Sequence, residues 1–540
     1  MNKQKKTAQT TTNPRMYPMP LPAKGSPEIL TRIDLRRVME LAGRNLLSCL
    51  DPMLNHLPIW NAAPGRDGSV EVGRRWFSHN LGRWWDALLR LESATGVPIP
   101  KDAEKAMLGN LKRFFDNQEH VCLQPLDVDL PGKDSAHILL DLHSLREGML
   151  ALTALTRHRK NDWARNEGKA MCSSLLRLTR DDCTWITEQF EKARIGKQGS
   201  GAPDAMNTGR LIEALVWHYE ATGEPDALRA ADRFARYFLA TATSPDGSMG
   251  AKPGGHTHSY LGTLRGLLLF GELTAQRQYV DTIAATYEMT VRTLLKKSGF
   301  ISHDLKHDDN TEPTSPGDAA QLALWLAIRH NHTEYLDDVE RIVRARLVPC
   351  QITEPPPLQQ PELAPLMLGG LGMRGKKSGT AHCEKAATTD ITSAVLHTLV
   401  DVYTHIAVAN ETDLRVHFHF DYDDKNVSIT SQREKTATVT ITPKTKLNLW
   451  VRLPRWTPKE SVRLVVAGKN MPLFIVGDYA FVPRDLMPAE VTLTYDLPVS
   501  TEIERTDGVD YSITWRGDEI IGISPNSDFL PFYPDAFVND

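Results

Sequence analysis

The sequence predicts an (α/α)6 barrel followed by a C-terminal β-sandwich. A helical hairpin recurs six times, and the hydrophobic period changes from 3.6 to 2 at about residue 411. Of the 540 residues 41% are hydrophobic and 24% charged, as in ordinary globular proteins. The formal net charge of −4 argues against nucleic-acid binding through a basic surface. No run of 18 apolar residues occurs, so no membrane-spanning helix is expected.

Residues 1–28 are predicted to be a disordered tail. The first 25 residues are polar and Pro-rich and lack the apolar core of a secretory signal peptide. The six cysteines lie far apart and form no CxxC pair, so no disulfide framework is expected. We therefore expect a cytoplasmic protein with reduced thiols.

Residues 29–410 are predicted to form the barrel. The clearest hairpin runs from Thr208 to Tyr237, with a helix stop at Thr222–Gly223 and Pro225 in the first turn of the next helix. Copies begin near residues 87, 149, 214, 267, 323 and 395, and the sixth has no clear second helix. Six hairpins are the number that closes a ring; an open solenoid is the alternative.

Residues 411–540 are predicted to form the β-sandwich. LRVHFHFDYDD alternates apolar residues from Leu414 to Tyr422 on one strand face, and further short strands follow with turn residues between them. The Pro-rich stretch 354–365 lies before the sixth hairpin, where we expect a surface loop near the barrel mouth.

The segments that lead into the six equivalent helices are expected to meet at one end of the barrel. They carry histidines, carboxylates, arginines and aromatic residues, which bind sugar hydroxyls and rings and include acid–base pairs able to break a glycosidic bond. The candidate substrate-binding residues are His79, Arg83, Trp84, His143, Arg146, Asn207, Arg210, His258 and Tyr260.

The candidate catalytic residues are Asp318, Asp390, Glu384 and His256. Asp318 and Asp390 fall at or near predicted helix N-termini, where the ionised form is favoured and suits a base or nucleophile. The same position also fits a purely structural helix cap. His256 follows two glycines and opens a helix.

Several segments resemble glycoside hydrolase family 127, which includes β-L-arabinofuranosidases. GGHTHSYLGTLRGLLLFGELT and LLDLHSLREGMLAL are similar to the family's two histidine-bearing helices, with His256 and His143 at the matching places. LWVRLPRWTP, GDYAFVPRDL and VTLTYDLPV are similar to its sandwich strands. The resemblance covers most of the chain after about residue 70 and implies a barrel, a sandwich and a glycosidase activity.

The resemblance also implies a cysteine nucleophile from a Cys-Cys pair and a zinc ion held by cysteines and a glutamate. This sequence has no Cys-Cys pair; Asp318 stands near a zinc-cysteine position and Asp390 near the nucleophile position. We therefore expect no metal and no cofactor. The segment SHDLKHDD (302–309) has metal-ligand residue types without a recognised spacing and is expected to be a solvated loop.

The predicted function is hydrolysis of a glycosidic bond in an oligosaccharide by carboxylates at the barrel mouth. One alternative is a polysaccharide lyase, with a histidine or Tyr260 as base and Arg146 or Arg210 holding a uronate carboxylate. Another is a non-catalytic carbohydrate-binding or structural protein on the same fold. The expected partner is an oligosaccharide, with no nucleic acid and no membrane, and a homodimer is left open. GLGMRG (370–375) matches GxGxxG but lacks the βαβ context of a nucleotide site.

Overall fold

The computed structural model describes residues 32–123, 142–186, 202–373 and 384–533, except for the side chains of 308–310. The predicted disordered tail, residues 1–28, lies outside the described residues. Among the helices described, none has both the length and the apolar character needed to cross a membrane.

The described chain up to Thr404 is mainly helical. Its α-helices of seven or more residues are α1 (Leu35–Ser48), α2 (Phe77–Thr95), α3 (Lys101–Phe115), α4 (Leu145–Arg159), α5 (Asp162–Leu178), α6 (Leu211–Thr222), α7 (Pro225–Ala242), α8 (Thr257–Leu273), α9 (Arg277–Thr286), α10 (Thr314–His330), α11 (Leu336–Ile342) and α12 (Thr389–Thr404).

Six of these helices form a closed cycle of contacts. α2 packs against α4, α4 against α6, α6 against α8, α8 against α10, α10 against α12, and α12 returns to α2. These helices are buried on nearly all sides; in α8 every residue from Thr257 to Gly271 is buried. A helix buried all round has neighbours on every side, as expected for the inner layer of a two-layer ring.

The remaining helices pack on the outside of this ring. α3, α5, α7, α9 and α11 each contact the ring helix that precedes them in the chain. They are amphipathic: α7 buries Ala227, Ala230, Phe234 and Phe238 at helical spacing and exposes its other face. The sixth ring helix, α12, contacts α1. α1, the first described helix, therefore takes the place of the second helix that the sixth hairpin lacks.

The predicted hairpin turn is confirmed. α6 ends at Gly223, whose φ of 72° suits glycine and whose N–H donates to the carbonyl of Tyr219 at 2.7 Å. Pro225 occupies the first turn of α7, where its missing N–H has no intrahelical partner to lose. The same stop recurs at the end of α2, where Gly96 has φ 75°.

Short strands lie between the helices and connect their N-terminal ends. They are β1 (Leu50–Asp51), β2 (Leu57–Pro58), β3 (Asn61–Pro64), β4 (Val70–Gly73), β5 (Ser302–Asp304), β6 (His307–Thr311) and β7 (Ala387–Thr388). β3 pairs with β4 and with β7, so the segment before α2 is bonded to the segment before α12. β5 and β6 form a hairpin whose Asp304 makes a backbone bridge to His256.

From Ala407 onward the described chain is almost entirely strands. They are β8 (Ala407–Ala409), β9 (Asp413–Val416), β10 (Tyr422–Asp423), β11 (Val427–Arg433), β12 (Thr436–Pro443), β13 (Asn448–Arg452), β14 (Arg463–Val466), β15 (Lys469–Met471), β16 (Ile475–Val476), β17 (Tyr479–Val482), β18 (Val491–Asp496), β19 (Val499–Thr506), β20 (Val509–Arg516) and β21 (Glu519–Ser524). They form a six-stranded sheet, β10-β11-β12-β18-β14-β15, a five-stranded sheet, β16-β17-β13-β9-β8, and a three-stranded sheet, β19-β20-β21.

The segment LRVHFHFDYDD departs from the predicted single strand. β9 ends at Val416, and β10 begins only at Tyr422. Leu414, Phe418 and Phe420 are buried as expected, but the alternate residues His417 and His419 are buried too. Their Nδ1 atoms lie 2.7 Å and 2.6 Å from the hydroxyls of Tyr479 and Tyr495 respectively, which gives one nitrogen of each ring a hydrogen-bond partner inside the core.

Candidate functional site

The segments that lead into the ring helices bring their histidines together. His79 in the first turn of α2 stacks on His143, with ring centroids 4.5 Å apart. His143, which precedes α4, lies 6.3 Å from the ring of His256, the N-cap residue of α8. His256 in turn lies 5.7 Å from His258. The N-terminal ends of α2, α4 and α8 therefore share one face, which we call the histidine face.

Asp390 lies beside this face, in the first turn of α12. Its Oδ1 is 2.8 Å from Nε2 of His79 and 2.9 Å from Nε of Arg83. Thr388, not Asp390, is the N-cap residue. Asp390 therefore does not cap α12, and its carboxylate contacts His79 and Arg83 of α2.

Burial opposes the ionisation of Asp390, but Arg83 and His79 outweigh it and hold the pKa of this carboxyl well below its usual range. Its side chain keeps 12% of its exposure, against 4% for Asp318. Asp390 is thus a buried, ionised carboxylate whose side chain is slightly more exposed than that of Asp318.

A network of ion pairs fills the ring behind the histidine face. Glu147 of α4 accepts from Arg83 at 3.2 Å and Arg146 at 3.0 Å, and from Arg210 in the lead-in to α6. Its carboxylate is fully buried, and these cations hold its pKa well below the usual range despite the burial. A carboxylate shared by three guanidinium groups links α2, α4 and the start of α6.

A second part of the network surrounds Asp318. Its Oδ1 is 3.0 Å from Nη1 of Arg265, and its Oδ2 is hydrogen-bonded to Nδ1 of His258. The other nitrogen of His258 lies 2.6 Å from Nη2 of Arg83, which also contacts Asp390. Asp318 and Asp390 are therefore connected through one histidine and one arginine.

The environment shifts the two carboxyls in opposite directions. Burial raises the pKa of Asp318, although Arg265 and three further arginines oppose the shift. Asp318 lies in the second turn of α10, which begins at Thr314, so it does not cap the helix as the sequence suggested. Among the described carboxylates inside the ring whose pKa is shifted, Asp318 is the one that is shifted upward.

Asp318 lines a small internal cavity together with Arg83, Arg146, His258 and Arg265. The cavity has a volume of about 20 Å³, which is room for about one water molecule. A sugar ring does not fit there, so contact between a sugar and Asp318 needs rearrangement of its neighbours.

Four predicted site residues are held elsewhere. Trp84 is buried and donates through Nε1 to the carbonyl of Leu46 in α1, so it packs the core between ring and outer layer. Tyr260 is wholly buried in α8. The amide of Asn207 forms a reciprocal capping box with Asp204. The hydrogen bonds of Trp84 and Asn207 stabilise the fold, whereas the buried hydroxyl of Tyr260 has no hydrogen-bond partner among the described residues.

Glu384 is the fourth. It is buried and accepts a hydrogen bond from Ser527 at 2.8 Å, and its Oε2 lies 3.9 Å from Arg66. These contacts place it with the C-terminal segment. The remaining predicted residues, His79, Arg83, His143, Arg146, Arg210, His256, His258, Asp318 and Asp390, lie on the histidine face or in the ion-pair network behind it.

Glu147 and Glu213 were not among the predicted site residues, although each stands in or beside a segment that leads into a ring helix. Glu213 accepts from Arg146 at 2.7 Å and from Arg265 at 3.1 Å. Both lie in helices whose sequences are mainly apolar. A glutamate in such a helix is usually predicted to lie on its exposed face. The presence of Arg146 directly before Glu147 was the available signal.

Two more residues, His303 and Glu312, were also missed. The ring of His303 lies 4.6 Å from that of His256, and Oε1 of Glu312 lies 3.3 Å from its Nε2. Trp60, before β3, lies 6.2 Å from His79 and adds an aromatic surface. His303 and Glu312 flank one hairpin but have no recognised ligand spacing, and Trp60 is distant from both in the sequence.

The five described cysteines are buried. Burial raises the pKa of Cys49 and of Cys350 to about 12, so these thiols remain protonated and are poor nucleophiles. Cys383 lies outside the described residues. The described residues thus offer no cysteine pair of the kind that the family resemblance implies.

Solved structures confirm the resemblance at the level of fold. The chain is similar to a GH127 β-L-arabinofuranosidase from Geobacillus stearothermophilus T6, at 12% identity over 92% of this chain and 80% of that one, with a TM-score of 0.54. A second GH127 β-arabinofuranosidase gives a TM-score of 0.56 at 12% identity, over 90% and 78% of the two chains. A further glycoside hydrolase gives 0.54 at 13% identity, over 82% and 77%.

No protein-family model and no curated protein matches the sequence. The chain therefore has a divergent GH127-like fold. At 12–13% identity the likeness concerns the fold and carries no catalytic residue across.

Proposed function

We propose that this protein is a glycoside hydrolase-like enzyme that cleaves a glycosidic bond in an oligosaccharide. In this proposal the closed cycle of helices is an (α/α)6 barrel spanning residues 29–410, and residues 411–540 form a β-sandwich beside it. The observation that carries the proposal is Asp390, a carboxylate that Arg83 and His79 keep ionised beside a face rich in histidine.

Asp390 is proposed as the nucleophile or base. Arg83 and His79 keep it ionised and fix its orientation, and the N-terminus of α12 adds a favourable dipole. An anionic group at this place can attack an anomeric carbon or activate a water molecule. The neighbouring His143 is neutral because burial and then Arg210 keep its pKa well below the usual range, so it can hydrogen-bond a sugar hydroxyl without carrying charge.

Asp318 is proposed as the proton donor, which requires that the neighbours enclosing its small cavity rearrange so that a sugar oxygen reaches it. Two carboxyl groups with pKa values pushed in opposite directions are the arrangement that acid–base catalysis needs. The link through His258 and Arg83 couples their positions. The proposed sugar lies over the histidine face, with Trp60 as a surface on which its ring stacks.

The test is turnover on a panel of plant and bacterial oligosaccharides. The wild type, Asp390→Asn and Asp318→Asn are compared, with reducing-sugar release as the readout. The matched control is Asp401→Asn, the same change on the same helix, at a carboxylate bonded to Gln321 and Trp325. The proposal expects both test variants to lose turnover by about 10³-fold or more while the control keeps it.

A carbohydrate-binding protein without activity is the second candidate. The observation that favours it is the filled ring interior, where the cavity beside Asp318 holds about one water molecule. Saturable oligosaccharide binding with no product from any member of the panel would favour this candidate over the glycoside hydrolase. Of the two bases considered for the lyase alternative, Tyr260 is wholly buried, which leaves a histidine as its base.

A further inference from the structure

A second cluster borders the histidine face and consists of His256, His303 and Glu312. One ligand-type atom from each residue lies within 4.8 Å of the other two. We propose that these three residues bind a divalent transition-metal ion, with Zn²⁺ as the best match. The proposal does not rest on the catalytic role of Asp390.

The spacing of the donor atoms fits a shared ion. Nε2 of His256 and Oε1 of Glu312 are 3.3 Å apart. Two ligands on one tetrahedral zinc, at bond lengths of about 2.0–2.2 Å, are separated by about 3.3–3.5 Å. A direct N–H···O hydrogen bond has its optimum at about 2.9 Å. The pair therefore already stands at the separation that an ion requires.

The backbone fixes the three residues relative to one another. His256 is the N-cap of α8, His303 lies in β5, and Glu312 directly follows β6. The β5–β6 hairpin is bonded to the start of α8 by the bridge between His256 and Asp304 and by Leu305, whose N–H donates to Gly255 at 2.8 Å. A site built on paired strands and a helix start needs little rearrangement to bind its ion.

The chemistry of the donors selects the metal. Nδ1 of His256 lies 2.8 Å from Oγ of Ser259, so an Nδ1–H donated there leaves the Nε2 lone pair toward Glu312. The carboxylate of Glu312 faces this nitrogen, with its Oε1 3.3 Å away. Two imidazoles and one carboxylate suit zinc, whereas Mg²⁺ and Ca²⁺ prefer oxygen ligands.

Solvent reaches the cluster. The side chains of His256 and Glu312 keep 12% and 17% of their exposure. Three protein ligands leave a fourth tetrahedral position open for water or for a substrate oxygen, as in zinc sites that take part in chemistry. Residues 302–309 belong to the β5–β6 hairpin and do not form the solvated loop that the sequence predicted. The proposed site also departs from our expectation of no metal.

The experiment uses the full chain without an affinity tag. The protein is stripped with a chelator and titrated with Zn²⁺ against a chromophoric competitor, and bound metal is counted by elemental analysis. Substitution with Co²⁺ gives a visible absorption band whose intensity reports tetrahedral coordination. No substrate is present, so the result is independent of the test of glycoside hydrolysis.

The variants are His303→Gln and Glu312→Gln, with His307→Gln as the matched control in the same hairpin. The side chain of His307 is 67% exposed, and it is not one of the three proposed ligands. Wild type and control are expected to bind one Zn²⁺ per chain. Each test variant is expected to bind Zn²⁺ at least about 100-fold more weakly. Losing a residue that only hydrogen-bonds to a metal ligand already lowers metal affinity by about 10–100-fold.

Thermal unfolding of the stripped proteins checks that the variants are folded. If one of the two variants does not fold, the other still tests the proposal. Absence of a stoichiometric ion in the wild type overturns the proposal. So does undiminished affinity in both test variants, or binding that is lost only in Cys383→Ser.

Discussion

Asp390 on the last ring helix lies 2.8 Å from the Nε2 atom of His79 on the first ring helix. This contact joins residues that are 311 positions apart in the chain. It lies where α12 returns to α2, and the pairing of β3 with β7 fixes the same two lead-in segments through the backbone. The closure of the ring and the ionisation of Asp390 therefore depend on the same side chains.

The close approach of α2 to α4 at Gly82 predicts the effect of Gly82→Ala. A methyl group at Gly82 of α2 would overlap the backbone carbonyl of Glu147 in α4, which cannot move without shifting its helix. We expect a loss of about 1–3 kcal/mol or more in the free energy of unfolding, measured by urea denaturation.

The matched control is Gly109→Ala in α3, where an added methyl meets nothing within 4 Å. An exposed helical glycine gains up to about 1 kcal/mol when replaced by alanine. Equal effects of the two changes would contradict the close approach of α2 and α4.

The ion-pair network predicts that Glu147→Gln is strongly destabilising. The change keeps the shape but leaves Arg83, Arg146 and Arg210 without their shared carboxylate inside the ring. Removing one partner of a buried ion pair costs about 3–5 kcal/mol. Equilibrium denaturation measures the loss.

Glu104→Gln is the control for this change. Glu104 pairs with Arg159 in a half-exposed position at 2.7 Å. Such pairs contribute about 1 kcal/mol or less. A cost for Glu147→Gln no larger than that of the control would show that the network contributes little to stability.

The helices and their hairpin turns could be predicted from the sequence because apolar spacing and residues such as Gly223 act locally. The lead-in segments were also found, and with them His79, His143 and Asp390. The partner of α12 could not be found, because α1 lies at the other end of the chain. Glu147 and Glu213 were missed because, Arg146 beside Glu147 excepted, the arginines that balance their charge come from segments distant in sequence.

The β region shows the same limit. Its apolar alternation was visible, but the burial of His417 and His419 depends on hydroxyl partners at Tyr479 and Tyr495, far along the chain. His303 and Glu312 reach His256 only through the pairing of a short hairpin with a helix start.

The buried histidines His417 and His419 predict that the stability of the fold decreases in acid. Burial lowers the pKa of His417 and of His419 to about 3 in the folded chain, against about 6.5 when unfolded. Above pH 6.5 both states are neutral at these positions, and stability is unaffected. As the pH falls from 6.5 toward 3, the unfolded chain takes up protons that the folded chain does not. The free energy of unfolding should therefore fall by up to about 1.4 kcal/mol per pH unit for each histidine.

The measurement is the free energy of unfolding between pH 7 and pH 4.5. His419→Gln should reduce the slope against pH by up to about 1.4 kcal/mol per unit. Tyr495→Phe, which removes the hydrogen-bond partner but keeps the histidine, should lower stability at every pH and leave the slope in place. An unchanged slope in His419→Gln would contradict the assignment.

The central claim is that Asp390 acts as a catalytic carboxylate in glycosidic bond cleavage. The most direct test is the turnover of Asp390→Asn on the best oligosaccharide found for the wild type, with the melting temperature measured on the same sample. We expect a folded variant that is destabilised by about 1–3 kcal/mol and whose turnover is lower by about 10³-fold or more. A variant with wild-type turnover, or a wild type that releases no sugar from any member of the panel, would contradict it.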